Sequence, residues 1–360
     1  MTSEIRYKNI DGLRGIAVLM VISFHFLNNA YMSSDIIQLS WIERFIMKIT
    51  SFGWAGVNLF FVLSGFLIGT ILLKNKNSES YFKTFYIRRF LRIIPLYYLF
   101  LFVYIVCSYI INNNQIELFE KPIPIYFYFL LIQNFLFSTL GHFGPSGLTP
   151  SWSLAIEEQF YLFVPFLIYF TNKNRLMLIC LFFVVGAPVF RSFTPNWYME
   201  YTHLLSRVDA LFLGVILAIV KSDEKRYLPL FSSMWFLSAI LIVLLCTYLF
   251  ISKSINHTLI SFFFFIVLKL TFTDRKRKFN FLHSPFFAFV GRLSFFIYLF
   301  HQLINGLMFV IFQNGKSPNL NNAESYLIEI LSISITFILA VISDRILESR
   351  LIKFGKRFQY

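Results

Sequence analysis

The chain has 360 residues, of which 57% are hydrophobic and only 14% charged, where a soluble domain carries about a quarter charged residues. That excludes an ordinary soluble globule. The formal net charge of +14 does not point to nucleic acid, because lysine and arginine gather in short loops at the ends of apolar runs, as the positive-inside rule expects.

Apolar runs of about 18 or more residues, the mark of transmembrane helices, recur from end to end. In chain order the candidate spans are Leu13 to Tyr31, Gly53 to Leu73, Ile93 to Ile111, Ile125 to Leu140, Ser153 to Phe170 and Leu176 to Phe190. They continue with Leu204 to Val220, Ser233 to Ile251, Ile255 to Phe272, Phe286 to Phe312 and Tyr326 to Ile342. The predicted class is all-α: a polytopic transmembrane helical bundle, a single membrane domain over 1–360 with no appended soluble domain. The first run ends without a small-residue cleavage site, so it reads as a retained helix rather than a signal peptide.

Lys74, Lys76, Lys83, Arg88, Arg89 and Arg92 place the second loop in the cytoplasm, and Arg275 to Lys278 another. Lys353, Lys356 and Arg357 place the C-terminus there too. With both ends inside, the crossings must be even in number, so about ten spans are expected rather than eleven. The run from Ile125 is short, and the run from Ser153 carries two carboxylates. One of the two fails to cross, or is broken or re-entrant. Cys107, Cys180 and Cys246 all sit inside apolar runs and read as small core residues. No metal site is expected.

Charged groups inside apolar runs are the informative positions, because each costs about 2.5–3.5 kcal/mol at a helix centre on insertion scales. The first span holds Asp11, Arg14 and His25. Arg14 and His25 are about three turns apart, so they share one helix face. His25 reads either as a buried imidazole bonded to a neighbouring carbonyl or as a general base. Arg88, Arg89 and Arg92 serve orientation, or clamp phosphates with their guanidinium groups.

In Ser151-Trp152-Ser153-Leu154-Ala155-Ile156-Glu157-Glu158-Gln159-Phe160-Tyr161, helical spacing puts Ser153 with Glu157 and Glu158 with Tyr161. Acidic first-turn capping accounts for part of that pattern. Ser294, Tyr298 and His301 share a later face. Arg207 and Asp209, two residues apart, do not face each other and seek partners on other helices. Gly65 and Gly69 form a small-xxx-small pair, a packing feature, or Gly65 beside Ser64 lets a substrate chain approach the backbone.

These residues, in this order, resemble the membrane-bound acyltransferase family three. The likeness runs from Asp11-Gly12-Leu13-Arg14-Gly15-Ile16-Ala17 with His25, through Gly56 to Ile68, the paired arginines with Pro95 and Tyr97, and Ser151 to Tyr161. Arg207-Val208-Asp209 before Gly214, the Ser294 to His301 stretch and Glu348 complete it. Many relatives have Glu-Pro where this chain has Glu348-Ser349.

The resemblance implies an O-acyltransferase of the bacterial cytoplasmic (inner) membrane. Its donor would be acyl-CoA, most often acetyl-CoA. Its acceptor would be a sugar hydroxyl of a cell-surface polysaccharide or lipid-linked glycan, such as lipopolysaccharide O-antigen, or of a small glycosylated metabolite. It also implies that Arg14 and His25 are essential and Arg89 and Arg92 important. On this reading Arg88, Arg89 and Arg92 hold the donor phosphates, and the donor arm passes Ser64 and Gly65. His25, oriented by Glu157 or Glu158, then deprotonates the sugar hydroxyl or carries the acyl group covalently. Asp11, Trp152, Ser153, Gln159, Tyr161, Arg207, Asp209, Tyr298, His301 and Glu348 are expected to support the site. The sequence leaves the oligomeric state open. A glycan transporter would also carry intramembrane charges, but with inverted repeats, and no internal repeat is visible.

Overall fold

The computed structural model describes residues 8–28, 30, 40–111, 116, 118–120, 123–223, 253–273, 280–315, 318–320 and 322–360. Every regular element among them is helical. Helix α1 (Lys8–Ser23) continues into a π-helical turn, Phe24–Asn28. There follow α2 (Trp41–Thr50), α3 (Gly56–Lys74), α4 (Tyr81–Ile111), α5 (Ile125–Phe129), α6 (Gln133–Leu140) and α7 (Ser151–Phe170). Then come α8 (Lys173–Ser192), α9 (Trp197–Thr202), α10 (Leu204–Ser222), α11 (Lys253–Thr273), α12 (Pro285–Gln313) and α13 (Ala323–Ser343). A second π turn, Asp344–Glu348, and α14 (Ser349–Gly355) close the chain.

Eight helical stretches among the described residues are long and apolar enough to cross a membrane, and Asn256–Thr271 is a shorter apolar helix. The chain is a multi-pass helical membrane bundle. Its outward faces carry large apolar side chains such as Phe102, Tyr109, Ile110, Phe163 and Phe182, as lipid contact requires. The candidate span Ser233 to Ile251 lies outside the described residues.

Of the two weak candidates, Ile125 to Leu140 is the one that does not cross. It is broken into α5 and α6 at Leu131, whose φ is 55°, and its pieces are too short to span. Gln159 on α7 secures the break, its Nε2 donating at 2.8 Å both to the Leu131 carbonyl and to Asn134 Oδ1. The basic loop also needs correcting. Nothing between Tyr81 and Ile93 breaks a helix, so α4 begins twelve residues before the expected span and Arg88, Arg89 and Arg92 sit on its first turns. Because α7 starts at Ser151, Glu157 and Glu158 lie in its second turn, and the first turn has no acidic residue. Helix capping therefore does not account for the paired glutamates.

Two glycine-lined crossings set the core. A Cβ on Gly65 would stand 1.9 Å from the Leu211 carbonyl oxygen, and one on Gly214 would stand 2.3 Å from that of Val62, so α3 and α10 touch backbone to backbone. The same holds for α1 and α12, where a Cβ on Gly291 would lie 1.7 Å from the Asp11 oxygen. Gly65 therefore locks two helices together and leaves no room for a donor arm. α12 runs parallel to α1, which is why Arg14 and His25 both meet it.

Candidate active site

At the Arg14 end, polar groups from five segments interlock. Tyr161 donates its hydroxyl to Glu157 Oε2 at 3.1 Å and also contacts Ser64 Oγ. Tyr161 thus pairs with Glu157, four residues back, and not with Glu158. Arg14 lies within electrostatic reach of Asp11, Glu157 and Glu348. Arg92 lies near Arg14 and Arg89, and the Arg89 guanidinium sits 5.4 Å above the Tyr161 ring. Glu348 accepts from Ser343 at 2.9 Å. Glu158 Oε1 is buried without a hydrogen-bond partner.

Arg88 turns away from this group. Its Nε donates to the Phe358 carbonyl at 2.9 Å, and its guanidinium stacks 5.2 Å above Tyr360. The three arginines were expected to form one clamp. The structure sends Arg88 to the C-terminal tail and leaves Arg89 and Arg92 with Arg14.

A cavity opens beside Arg14 and Glu157, with Ser153, Ser294 and Tyr298 as its other polar lining and Phe60, Phe61 and Phe295 among its apolar walls. Ser153 Oγ and Tyr298 Oη are 2.5 Å apart, while the buried Ser294 Oγ has no partner. The expected faces are therefore real, since Ser153 with Glu157 and Ser294 with Tyr298 share this lining.

His25 stands beyond Tyr298. Its ring centroid is 5.0 Å from that of His301, which is 6.2 Å from that of Tyr298. It sits in the π turn that ends α1, a widened helical turn common at functional sites. Gln302 Nε2 lies 2.6 Å from His25 Nδ1. The expected partnership of His25 with Glu157 or Glu158 does not form. Glu157 is engaged by Tyr161, and the orienting contact comes from an amide on α12.

Arg207 and Asp209 part, as expected. Asp209 pairs with Arg191 of α8 at 3.0 Å. Arg207 donates to Asn58 Oδ1 at 2.8 Å and lies 5.2–5.9 Å from the ring centres of Phe61, Trp152 and Tyr201. Trp152 thus walls a buried guanidinium, and Phe61 joins that cage to the cavity.

The sequence pattern described as "Acyltransferase domain" matches residues 7–343, the stretch holding Arg14, His25, the arginines of α4 and the paired glutamates. The chain belongs to acyltransferase family three. It is 27% identical over 380 residues to a Staphylococcus aureus protein named Putative O-acetyltransferase, covering 98% of this chain and 58% of that one. It is 36% identical over 180 residues to Peptidoglycan O-acetyltransferase OatA of Listeria monocytogenes, covering 48% of this chain and 26% of that one. A Bacillus subtilis protein named Putative peptidoglycan O-acetyltransferase YrhL is 33% identical over 171 residues, 46% of this chain and 24% of its own length. The chain thus spans 58% of the length of the staphylococcal relative. No solved structure matches.

Within this family member, the sequence reading overlooked Gln302, Asn305, Glu329, Arg191 and Asn58. The signal was present. Each is a polar group within or at the edge of an apolar run, and Glu329 lies inside a run otherwise free of charge.

Proposed function

We propose that this family member is an O-acetyltransferase of the bacterial cytoplasmic membrane, moving an acetyl group from acetyl-CoA to a sugar hydroxyl of a cell-surface polysaccharide. The observation that carries the reading is a row of polar groups. It runs from Arg89, Arg92 and Arg14, through the cavity lined by Glu157, Ser153 and Tyr298, to His301 and His25. With the arginine end in the cytoplasm, where the basic loops put it, the donor's phosphates rest on Arg89 and Arg92. The thioester enters the cavity, where Arg14 and the Ser294 and Tyr298 hydroxyls stabilise negative charge on its carbonyl oxygen.

His25 takes the proton from the sugar hydroxyl. The alkoxide oxygen then bonds to the carbonyl carbon, the carbon–sulfur bond breaks, and the imidazolium returns its proton to the thiolate. Gln302 holds the ring of His25 during this exchange, its amide turned so that its oxygen faces Nδ1–H and ring Nε2 is the bare nitrogen. The acceptor is a surface glycan such as lipopolysaccharide O-antigen. The names of the Listeria and Bacillus relatives make peptidoglycan the second candidate.

The test compares mass and proton spectra of surface glycans from cells making the intact protein and cells making His25→Ala, at matched membrane levels. An acetyl increment that depends on His25 supports the reaction and identifies the acceptor. An increment that survives the substitution removes His25 from the chemistry.

A further inference from the structure

The proposed reaction needs a place for the accepting sugar, and the bundle beyond His25 has the chemistry for one. α12 carries His301, Gln302 and Asn305, and α13 brings Glu329 beside them, with Asn305 Nδ2 donating to Glu329 Oε1 at 3.3 Å. His301, Asn305 and Glu329 are at most 5% exposed. Asn305 lies one turn beyond His301 and three residues beyond Gln302, so helix geometry keeps the three together.

Besides the Gln302 amide, three buried atoms in this group lack a hydrogen-bond partner: His301 Nε2, Asn305 Oδ1 and Glu329 Oε2. His301 Nδ1 lies 3.1 Å from the carbonyl oxygen of Ile297 and 2.8 Å from that of Tyr298. A carbonyl only accepts, so Nδ1 holds the proton and Nε2 is a bare acceptor. The Asn305 oxygen accepts too, and the Glu329 carboxyl, buried without a cation, accepts and when protonated also donates. Buried polar atoms are nearly always paired, and three unpaired ones on adjoining helix turns call for a polar ligand. Gln302 also ties the group to His25.

We propose that His301, Gln302, Asn305 and Glu329 form the acceptor subsite, and that it takes an uncharged, hydroxyl-rich sugar residue. This rests on the reading of His25 as the base of an acyl transfer. Sugar hydroxyls both donate and accept, so several at once match such a mixed set. A phosphate or a carboxylate brings only further acceptors. It would also find no lysine or arginine among the four residues to pair its charge, and a buried unpaired charge is costly. The subsite thus discriminates against acidic sugars.

The whole protein in nanodiscs is given acetyl-CoA with methyl glucoside or methyl glucuronide, which differ at one carboxylate. Acetylated glycoside is counted by mass spectrometry, and coenzyme A binding is measured separately by equilibrium dialysis. Glucoside is expected to be acetylated at least tenfold faster than glucuronide. Glu329→Gln keeps the Asn305 contact but puts an N–H donor where the spare oxygen was, and it should raise KM for glucoside at least tenfold with coenzyme A binding within twofold. Asn305→Ser should act in the same direction and serves where Glu329→Gln does not fold.

Equal or faster acetylation of glucuronide overturns the proposal. So does an unchanged KM in both variants, or a joint loss of coenzyme A binding and transfer in both, which would make the residues structural. If the intact protein binds coenzyme A but acetylates neither glycoside, the subsite assignment falls and the donor reading stands. If it neither binds coenzyme A nor releases it from acetyl-CoA, the transferase reading itself falls.

Discussion

The Arg14 end and the His25 end of the bundle are both polar, yet they are built of opposite materials. At the first, charges of both signs interlock across α1, α4, α7 and the C-terminal π turn, with Ser64 and Tyr161 filling the gaps. At the second, His301, Asn305 and Glu329 leave buried polar atoms unpaired, and Gln302 contacts His25. A phosphate-bearing donor needs cations, and a sugar needs groups that accept from hydroxyls. On the proposed function, the contrast puts donor and acceptor at opposite ends of the bundle.

The sharpest way to break that contrast is His25→Ala. General base catalysis supplies about 10²–10⁴-fold, so glycan acetylation should fall by that factor. Binding of coenzyme A, measured by calorimetry, should stay within about twofold of the intact protein. A parallel loss of coenzyme A binding would mean that the two ends do not act separately.

The arginines give the next largest effect. A hydrogen bond to a charged group contributes about 1.5–3 kcal/mol, so Arg92→Ala should raise KM for acetyl-CoA by about 10–100-fold. Arg92→Lys should restore only part of this, because an ammonium lacks the bidentate fork. Arg88→Ala should move the same KM by less than about threefold, since Arg88 is spent on the Phe358 carbonyl and the Tyr360 ring. Steady-state kinetics on the three variants decides the matter, and an equal loss at Arg88 would return it to the donor site.

Arg88 also shows what a sequence conceals. Its residue type and place in the chain made it one of a cluster, and only the folded tail beside α4 reveals its partner. The break at Leu131 was hidden for a related reason. Neither glycine nor proline marks it, and it persists because Gln159, 28 residues away, bonds the carbonyl there. By contrast, the glycine crossing of α3 and α10 was legible in Gly65 and Gly69, because close helix approach selects small residues wherever it occurs.

The parting of Arg207 from Asp209 was legible too, from helical period alone, but Arg191 as the partner of Asp209 was not. Glu157 and Glu158 were the obvious carboxylates for His25 by chemistry. Which helix lies beside which is a property of the assembled bundle, and there α12 supplies Gln302 instead.

The smallest expected effect tests how tightly the Arg14 end is interlocked. The Tyr161 hydroxyl bridges Ser64 and Glu157. Tyr161→Phe removes the bridge and leaves Glu157 with the charge of Arg14 as its main restraint. A typical hydrogen bond contributes about 1 kcal/mol net, so kcat should fall by about fivefold while KM for acetyl-CoA changes little. Ser64→Ala removes the other half of the same contact. If the bridge acts as a unit, the double variant should be no slower than Tyr161→Phe alone, giving a coupling of about 0.5 kcal/mol or more. Strictly additive losses would separate Ser64 from Glu157. Tyr161 would then be a packing residue under Arg89 rather than the link between the glutamate and the cavity wall.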